Sequence, residues 1–134
     1  MSFLVDTNIL SELVRKKPDP GVLQWALGVR SVAISAVSVE EVYFGLAWKP
    51  NLRVRLWFEE FFEAHCQILP VTTEIAKRSG EIRGQLQGRG ETRASADMLI
   101  ASTAQDHHLT LVTRNVRHFE DCGVPLLNPF SDSG

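Results

Sequence analysis

Short apolar runs and helix-like segments alternate along this chain of 134 residues, and this order constrains the fold more than any other feature. The apolar runs predict strands at residues 2–5, 32–35, 68–71 and 110–113, with a short fifth at 124–127. Strands that alternate with helices form a parallel sheet with helices on both faces. We therefore predict an α/β protein with a central parallel sheet of four to five strands.

The length and the charge of the chain limit its organisation and its partners. We expect residues 1–134 to form one domain, because this length is close to the commonest domain size. The net charge is only −2, so any contact with nucleic acid must come from local basic patches. Ten of the fourteen basic residues are arginine, which favours forked contacts to phosphate or carboxylate.

The cysteines and the apolar runs predict a compartment. Cys66 and Cys122 form no CxxC motif and suggest no disulfide framework. The first apolar run ends at Asp6, which is too early for a signal peptide, and no run approaches the roughly 20 residues of a membrane span. We expect a soluble protein of the reducing cytoplasm with no membrane partner.

Three carboxylates lie at or near boundaries between predicted strands and helices. Asp6 closes the first apolar run, Glu41 comes shortly after the second, and Asp97 opens a helix. In an open parallel sheet, ligands bind outside the carboxyl ends of the strands. Acidic oxygens gathered there suit a hard divalent cation such as Mg²⁺ or Mn²⁺.

Each carboxylate also has a purely structural interpretation. Asp6 and Asp97 suit the positive ends of the helices that they open. Glu41 completes Ser38-x-x-Glu41, which is a capping box. Together, however, three acids at one edge would repel each other unless a cation compensated their charge. With no P-loop and no Ser-His-Asp or Cys-His nucleophile in the sequence, we expect a hydrolase that uses metal-activated water.

A fourth ligand is open from sequence alone. Asn115 follows the fourth predicted strand and could offer an amide oxygen, and Glu120 or Asp121 could also reach the site. Asn115 is equally typical of a plain turn.

The acidic residues and their neighbours, in this order, resemble the PIN domain, specifically the VapC-like toxins of bacterial type II toxin–antitoxin pairs, with the FitB-like subgroup as one candidate. The resemblance covers nearly the whole chain and rests on several motifs: Asp6-Thr7-Asn8, Ser35-Ala36-Val37-Ser38-Val39-Glu40-Glu41, Ile82-Arg83, Ser95-Ala96-Asp97-Met98-Leu99-Ile100-Ala101 and Leu111-Val112-Thr113-Arg114-Asn115.

The resemblance implies an α/β/α sandwich and cleavage of RNA that depends on Mg²⁺ or Mn²⁺. Asp6, Glu41 and Asp97 match the acidic metal ligands of the family, and Asn115 stands where many members carry Asp. The resemblance also assigns a supporting role to Thr7 and Thr113. Glu120 is a third candidate for a supporting role, because it follows the fourth predicted strand closely.

The resemblance further implies partners. These are a cognate antitoxin protein, an RNA substrate and a second copy of the chain in a homodimer, with DNA contacted only indirectly through the antitoxin.

Arginines near the predicted site are candidates for holding the RNA backbone. They are Arg89, Arg93, Arg114 and Arg117. Phosphate contacts fix the register of a nucleic acid without reading its sequence. Arg114 is the strongest candidate because it flanks Asn115, and the structural alternative is that several of these side chains are simply solvated.

The segment 52–65 predicts an unusually apolar helix. Leu56, Trp57, Phe58, Phe61 and Phe62 point in more than one helical direction. One face must be core, and the surplus predicts an exposed apolar patch that a partner covers. The alternative is a wholly buried helix.

Three functions compete. The favoured one is a metal-dependent endoribonuclease toxin. The second is a weakly catalytic or non-catalytic PIN subunit that binds its antitoxin and supports binding of operator DNA, which the neutral Asn115 keeps open. A third, a phosphatase or phosphoacceptor with Asp6 as nucleophile, is weaker because Asp6-Thr7-Asn8 lacks the Asp-x-Asp pattern.

Overall fold

Five parallel strands form one sheet in the computed structural model, which describes residues 2–131. The strands are β1 (Phe3–Val5), β2 (Val32–Ser35), β3 (Cys66–Leu69), β4 (Thr110–Val112) and β5 (Leu126–Leu127). Their spatial order is β3-β2-β1-β4-β5, and Leu4 pairs with Ala33 on one side and with Leu111 on the other. The predicted parallel sheet is confirmed.

Six helices connect these strands. They are α1 (Thr7–Leu13), α2 (Pro20–Leu27), α3 (Ala36–Trp48), α4 (Leu52–His65), α5 (Thr73–Gly88) and α6 (Ser95–Asp106). A 3₁₀ helix, Val116–Phe119, lies between β4 and β5. Two helices form each of the connections β1–β2, β2–β3 and β3–β4. Parallel strands need such long connections, which are usually helical.

Successive side chains along the strands enter two separate cores, because neighbouring residues of a strand point to opposite faces of a sheet. Val5 and Ile34 pack on one face in a cluster that includes Phe58 of α4. Leu4 and Ala33 pack on the other face in a cluster that includes residues of α5 and α6, among them Leu86, Met98 and Ala101. Helices thus cover both faces, and the predicted α/β/α sandwich is confirmed.

The start of α3 contradicts the capping-box interpretation of Glu41. The helix begins at Ala36, and Ser35 is its N-cap, with Ser35 Oγ accepting a hydrogen bond of 3.0 Å from the backbone nitrogen of Val37. The Ser38-x-x-Glu41 capping box is wrong, because Ser38 lies inside the helix, where its backbone already follows the helical path. Glu41 is therefore not used to cap α3.

The strand order creates a switch point between β1 and β4. From β1 the chain builds the sheet outward through β2 to β3, and it then returns to the other side of β1 to form β4. In doubly wound sheets the crevice for a ligand opens at the carboxyl ends of the strands at such a point. Asp6 follows β1 and Thr113 follows β4, so both residues lie at this crevice.

Helix α4 is only partly buried. Phe58 and Phe62 belong to the core, whereas Leu52 and Leu56 are 70% and 56% exposed. The interpretation of a wholly buried helix is wrong. On the preceding helix, the side chains of Phe44 and Trp48 are also exposed, and we refer to Phe44, Trp48, Leu52 and Leu56 as the α3–α4 apolar surface.

No helix within residues 2–131 has the length and the apolar character that crossing a bilayer would require.

Candidate active site

Asp6 is held at the carboxyl end of β1 by the structure on both sides of it. Its backbone nitrogen donates to the carbonyl of Val112 at 2.9 Å, which continues the pairing of β1 with β4. Its Oδ1 accepts a hydrogen bond of 2.7 Å from the backbone nitrogen of Thr7, so the side chain also caps α1. Asp6 is only 6% exposed. The capping interpretation of Asp6 is confirmed, and its second oxygen is left for other contacts.

The second oxygen of Asp6 meets the end of β4. Thr113 Oγ1 donates to Asp6 Oδ2 at 2.8 Å, and the amide of Asn8 donates to the same oxygen at 3.2 Å. The backbone nitrogen of Asn115 donates to Thr113 Oγ1 at 3.0 Å. These bonds fix the Asp6 carboxylate between the loops that follow β1 and β4.

Asn8 has a role that the sequence did not reveal. Its Nδ2 also lies 3.3 Å from Thr113 Oγ1, and its Oδ1 accepts a hydrogen bond of 3.2 Å from the backbone nitrogen of Arg114. The side chain therefore ties the start of α1 to the loop after β4. An Asn in the first turn of a helix has many uses, so the sequence carries no signal for this one.

Glu41 joins the site through Thr7. Thr7 Oγ1 donates to Glu41 Oε1 at 2.6 Å and lies 2.9 Å from Ser38 Oγ. The neighbouring Glu40 is exposed, whereas Glu41 is half-buried. The inward position of Glu41 agrees with the prediction of Glu41 as a site residue, and the hydroxyl of Thr7 is in direct contact with its carboxylate.

Asp97 enters from the other core face, in the first turn of α6. Its Oδ2 lies 3.3 Å from Nδ1 of His118, which belongs to the 3₁₀ helix after β4. His118 is half-exposed, and no motif in the sequence predicted a role for it. No spacing signal marks it, because only the fold brings the 3₁₀ helix next to the start of α6.

The carboxylates influence each other electrostatically. Burial raises the pKa of Asp6, and the charge of Asp97 raises it further, while hydrogen bonds from Thr113 and Thr7 act in the opposite direction. Burial also raises the pKa of Asp97, an effect that Glu41 strengthens and His118 weakens. The three acids thus share one region in which negative charge is costly.

The carboxylates suit a divalent cation that keeps part of its water shell. Among residues 2–131, no three His, Cys, Asp or Glu side chains converge closely enough to enclose an ion by themselves. Mg²⁺ does not need such an enclosure, since it keeps several waters and binds one or two carboxylates together with substrate phosphate. Partly buried carboxylates that repel each other fit this kind of cation.

The candidates for a fourth ligand lie in different places. Asn115 precedes the 3₁₀ helix, its side chain is exposed, and it makes no capping hydrogen bond. Glu120 is exposed, and its backbone carbonyl accepts a hydrogen bond of 2.9 Å from Arg93. Asp121 has a positive φ of 64° in the turn that follows. Asn115 is therefore the candidate connected to the Asp6 network, through its backbone.

The predicted RNA-binding arginines also differ. Arg114 and Arg117 are exposed beside the crevice, and Arg89 is exposed at the end of α5, 4.0 Å from Glu91. Arg93 is only 11% exposed, and its guanidinium donates to the carbonyls of His118 and Glu120, both at 2.9 Å. These contacts favour a structural role for Arg93, in which it holds the loop that carries His118.

The profile of the PIN domain matches residues 3–123 of the chain. Three curated relatives are similar over nearly their whole length. VapC ribonuclease Y4jK of Sinorhizobium fredii is 31% identical, covering 95% of this chain and 96% of the relative. Toxin FitB of Neisseria gonorrhoeae is 33% identical, with 96% and 99% covered. The tRNA(fMet)-specific endonuclease VapC of Salmonella typhimurium is 30% identical, with 90% and 91% covered.

Solved structures agree with this relationship. The crystal structure of VapBC2 from Rickettsia felis bound to a promoter DNA fragment contains a chain that superposes with a TM-score of 0.84 at 25% identity, covering 96% of this chain and 98% of that chain. A toxin–antitoxin complex from Klebsiella pneumoniae contains one with a TM-score of 0.72 at 29% identity and the same coverage. The sheet order, the acidic crevice and the match over residues 3–123 lead to one conclusion: the chain belongs to the PIN domain family.

Proposed function

We propose that this protein is an endoribonuclease toxin that requires Mg²⁺ or Mn²⁺ and is restrained by a cognate antitoxin. The observation that carries the proposal is the position of Asp6 at the switch point of the sheet, within the electrostatic influence of Asp97, which is itself influenced by Glu41. Burial and neighbouring negative charge raise the pKa values of both aspartates. The ribonuclease names of the curated relatives support RNA as the substrate.

Each site residue has a defined task in this proposal. Asp6 and Asp97, with Glu41 beside them, would hold the cation. A divalent cation bound there supplies an activated water and offsets the negative charge that builds on the phosphate. Thr113 and Thr7 keep the carboxylates of Asp6 and Glu41 in place through the hydrogen bonds described above.

The side chains around the carboxylates position the RNA. Arg114 and Arg117 are exposed beside the crevice, so their guanidinium groups can reach the phosphodiester backbone. Asn115, also exposed, would offer its amide oxygen either to the cation or to the substrate. This group is neutral, so it contributes less to cation affinity than the Asp found in many members of the family.

The direct test is cleavage of RNA by the protein purified free of any partner. Total RNA is incubated with Mg²⁺ or Mn²⁺, with parallel samples containing EDTA or the Asp97→Asn variant. Discrete fragments that both controls abolish would support the proposal. Cleavage that persists in the Asp97→Asn variant would refute the assigned site, and a circular dichroism spectrum would establish that the variant is folded.

A second function is favoured by Asn115 and by the lack of a closed three-ligand set within residues 2–131. In this alternative the protein is a weakly catalytic or non-catalytic subunit that binds its antitoxin and supports operator DNA binding. The solved Rickettsia felis complex with promoter DNA is a precedent for such an assembly in a relative. Operator binding together with no metal-dependent cleavage by the folded, partner-free protein would favour this function.

We also propose that the α3–α4 apolar surface contacts a protein partner, the antitoxin or a second copy of the chain. Four exposed apolar side chains on two adjacent helices are costly in water unless a partner covers them. The double variant Trp48→Glu/Leu52→Glu should weaken the antitoxin complex or the homodimer while RNA cleavage continues. If sedimentation showed that the double variant weakens neither the antitoxin complex nor the homodimer, this role would be contradicted.

The same function suggests a cytoplasmic location, where RNA is present. Cys66 and Cys122 are both unpaired thiols, which is the expected state in a reducing compartment. Fractionation of cells that express the tagged protein would test this location.

A further inference from the structure

The three carboxylates of the candidate site differ in how firmly the protein holds them. The side chain of Asp6 accepts three hydrogen bonds, and that of Glu41 accepts one of 2.6 Å from a buried hydroxyl. Within residues 2–131, the side chain of Asp97 has a single polar contact, in which its Oδ2 lies 3.3 Å from Nδ1 of His118. The orientation of the Asp97 carboxylate therefore depends on His118.

Asp97 needs such a contact because little else restricts its side chain. It lies in the first turn of α6 and is 26% exposed, so several staggered rotamers are open to it. Fixing one of these rotamers costs conformational entropy at the moment a cation binds. The contact with His118 involves Oδ2 alone and leaves Oδ1 available to a cation. Outer partners that hold one atom of a ligating side chain orient metal ligands in this way.

The backbone of His118 is held on both sides. Its nitrogen donates to the carbonyl of Asn115 at 3.0 Å, and its carbonyl accepts a hydrogen bond of 2.9 Å from Arg93. The next residue, Phe119, is only 1% exposed and anchors the segment in the core. The imidazole of His118 thus extends toward Asp97 from a segment of fixed geometry.

The segment of His118 is also tied to the helix that carries Asp97. Arg93, which binds the carbonyl of His118, immediately precedes the N-cap of α6. On the other side of the pair, Sγ of Cys122 lies 3.6 Å from Sδ of Met98, the neighbour of Asp97 in α6. These two contacts set the distance between the imidazole and the carboxylate.

Stability of the fold does not explain the contact between His118 and Asp97. The side chain of His118 is 56% exposed, so it contributes little to the core. Exposed contacts between oppositely charged or polar side chains add little to the free energy of unfolding. A role of the imidazole in the site itself accounts for its placement.

We propose that His118 is a positioning residue of the cation site, in which its Nδ1–H donates to Oδ2 of Asp97 and keeps Oδ1 free for the cation. The inference rests on the proposed function and adds to it a residue outside the three carboxylates. A role as donor suits His118 better than a role as ligand, because Mg²⁺ and Mn²⁺ favour oxygen ligands over imidazole.

The first measurement needs neither metal nor RNA. In protein labelled with ¹⁵N-histidine, NMR at about pH 9, where imidazole side chains are neutral, shows which ring nitrogen carries the proton. We expect the Nδ1–H form of His118 in the wild type and loss of this preference in Asp97→Ala. The Nε2–H form of His118 in the wild type would overturn the inference.

The second measurement is binding of Mn²⁺ without RNA, followed by the electron paramagnetic resonance signal of the free ion. His118→Ala should weaken binding about tenfold, which is the lower end of the effect of losing an outer partner of a metal site. His118→Asn should restore most of the affinity, because its amide N–H can occupy the place of Nδ1–H.

His107→Ala is the matched control for His118→Ala. His107 also lies beside an aspartate of α6, with its Nε2 4.0 Å from Oδ2 of Asp106, but at the far end of the helix. The control should bind Mn²⁺ like the wild type. Equal losses in His107→Ala and His118→Ala would overturn the inference, since the effect would then not be specific to the site.

The outcomes separate this inference from the proposed function. Equal Mn²⁺ affinity of His118→Ala and wild type would overturn the inference, even if the wild type cleaves RNA, and so would a wild type that binds no Mn²⁺. A nitrogen coupling in the spectrum of bound Mn²⁺ that His118→Ala removes would also overturn it, because His118 would then be a ligand. Weaker binding by His118→Ala that His118→Asn restores would support the inference, even if the wild type cleaves no RNA.

Discussion

Thr113 donates a hydrogen bond of 2.8 Å to a carboxylate oxygen of Asp6, although the two residues are 107 positions apart in the chain. Thr113 is fully buried, and its oxygen also accepts the backbone N–H of Asn115. This hydroxyl therefore connects the ends of β1 and β4 at the point where the acidic crevice opens.

The first prediction concerns this hydroxyl. Thr113→Val keeps the shape of the side chain but leaves Asp6 without its buried donor and the N–H of Asn115 without its acceptor. We expect a loss of stability of about 1–3 kcal/mol and a clear fall in kcat. Urea unfolding and RNA cleavage measure the two effects.

Thr103→Val is the matched control for this hydroxyl. Thr103 is equally buried, but its hydroxyl donates only to the carbonyl of Leu99 within α6. A similar loss of cleavage in both variants would contradict a specific role for Thr113.

The second prediction distinguishes Glu41 from its neighbour Glu40 in α3. Glu41→Gln should reduce cleavage by more than the roughly 10- to 100-fold that is typical for losing an outer partner of a metal site. Glu40→Gln, which changes an exposed side chain, should cleave like the wild type. Steady-state rates at saturating Mg²⁺ check this, and equal rates for the two variants would contradict the assignment of Glu41.

The third prediction follows from the raised pKa of Asp97. The unfolded carboxyl titrates near 3.8, and the folded one at higher pH, so the native state binds more protons between these values. Stability in EDTA should therefore fall as the pH rises through the folded pKa, and Asp97→Asn should be more stable than wild type at neutral pH. Its advantage should vanish below pH 3.8, where the carboxyl is neutral in both states.

Asp19 is a control, because its pKa is shifted in the opposite direction to that of Asp97. Hydrogen bonds from Ser131 lower its pKa, so it stabilises the native state above the unfolded pKa and this contribution is lost as the pH falls through the folded value. Asp19→Asn should therefore be less stable than wild type at neutral pH. Urea unfolding of both variants across pH would contradict this account if Asp97→Asn were the less stable one.

The fourth prediction concerns Arg93. Arg93→Lys keeps the charge but cannot reproduce the bonds of one guanidinium to the carbonyls of His118 and Glu120. We expect lower thermal stability and a salt slope of RNA binding equal to that of wild type. If the variant instead kept full stability and lost RNA affinity, the original prediction of an RNA-binding Arg93 would be restored.

The fifth prediction tests how the end of the described chain is held. A Cβ at Gly21 would clash with the carbonyl oxygen of Pro129 and would lie 2.7 Å from the backbone nitrogen of Ser131. Gly21→Ala should displace this segment, including Phe130, and destabilise the protein. Gly80→Ala, on α5 with nothing near its Cβ, should instead stabilise it by up to about 1 kcal/mol. Differential scanning calorimetry of the two variants would contradict the account if both shifted the melting temperature in the same direction.

The sequence was sufficient to predict the layers and, to within one residue, the ends of β1, β2 and β4, because apolar runs mark these strands directly. The edge strand β3 lies at Cys66–Leu69 instead of the predicted 68–71, because its partly exposed residues give a weaker apolar signal. Asp6 could be placed at the crevice for the same reason, since it closes the first run. The boundary of α3 was less certain, because Ser35 and Ser38 are both good N-cap residues and only the length of β2 decides between them.

Contacts between distant segments could not be predicted. His118 meets Asp97, and Arg93 meets the carbonyl of Glu120, only because α6 packs beside the loop after β4. The network of Asn8 has the same origin. Each of these contacts depends on the register between elements, which a single sequence does not specify.

The chemistry of the cleaved RNA ends tests the central claim most directly. If water held at the Asp6, Glu41 and Asp97 site attacks the phosphate, the products carry no 2′,3′-cyclic phosphate, and a single 2′-deoxynucleotide at the cleavage site leaves cleavage intact. Attack by the ribose 2′-hydroxyl would leave a cyclic phosphate and would be blocked by that substitution. We predict linear phosphate ends and cleavage of the substituted RNA; cyclic ends that form in EDTA would contradict a metal-dependent nuclease at this site.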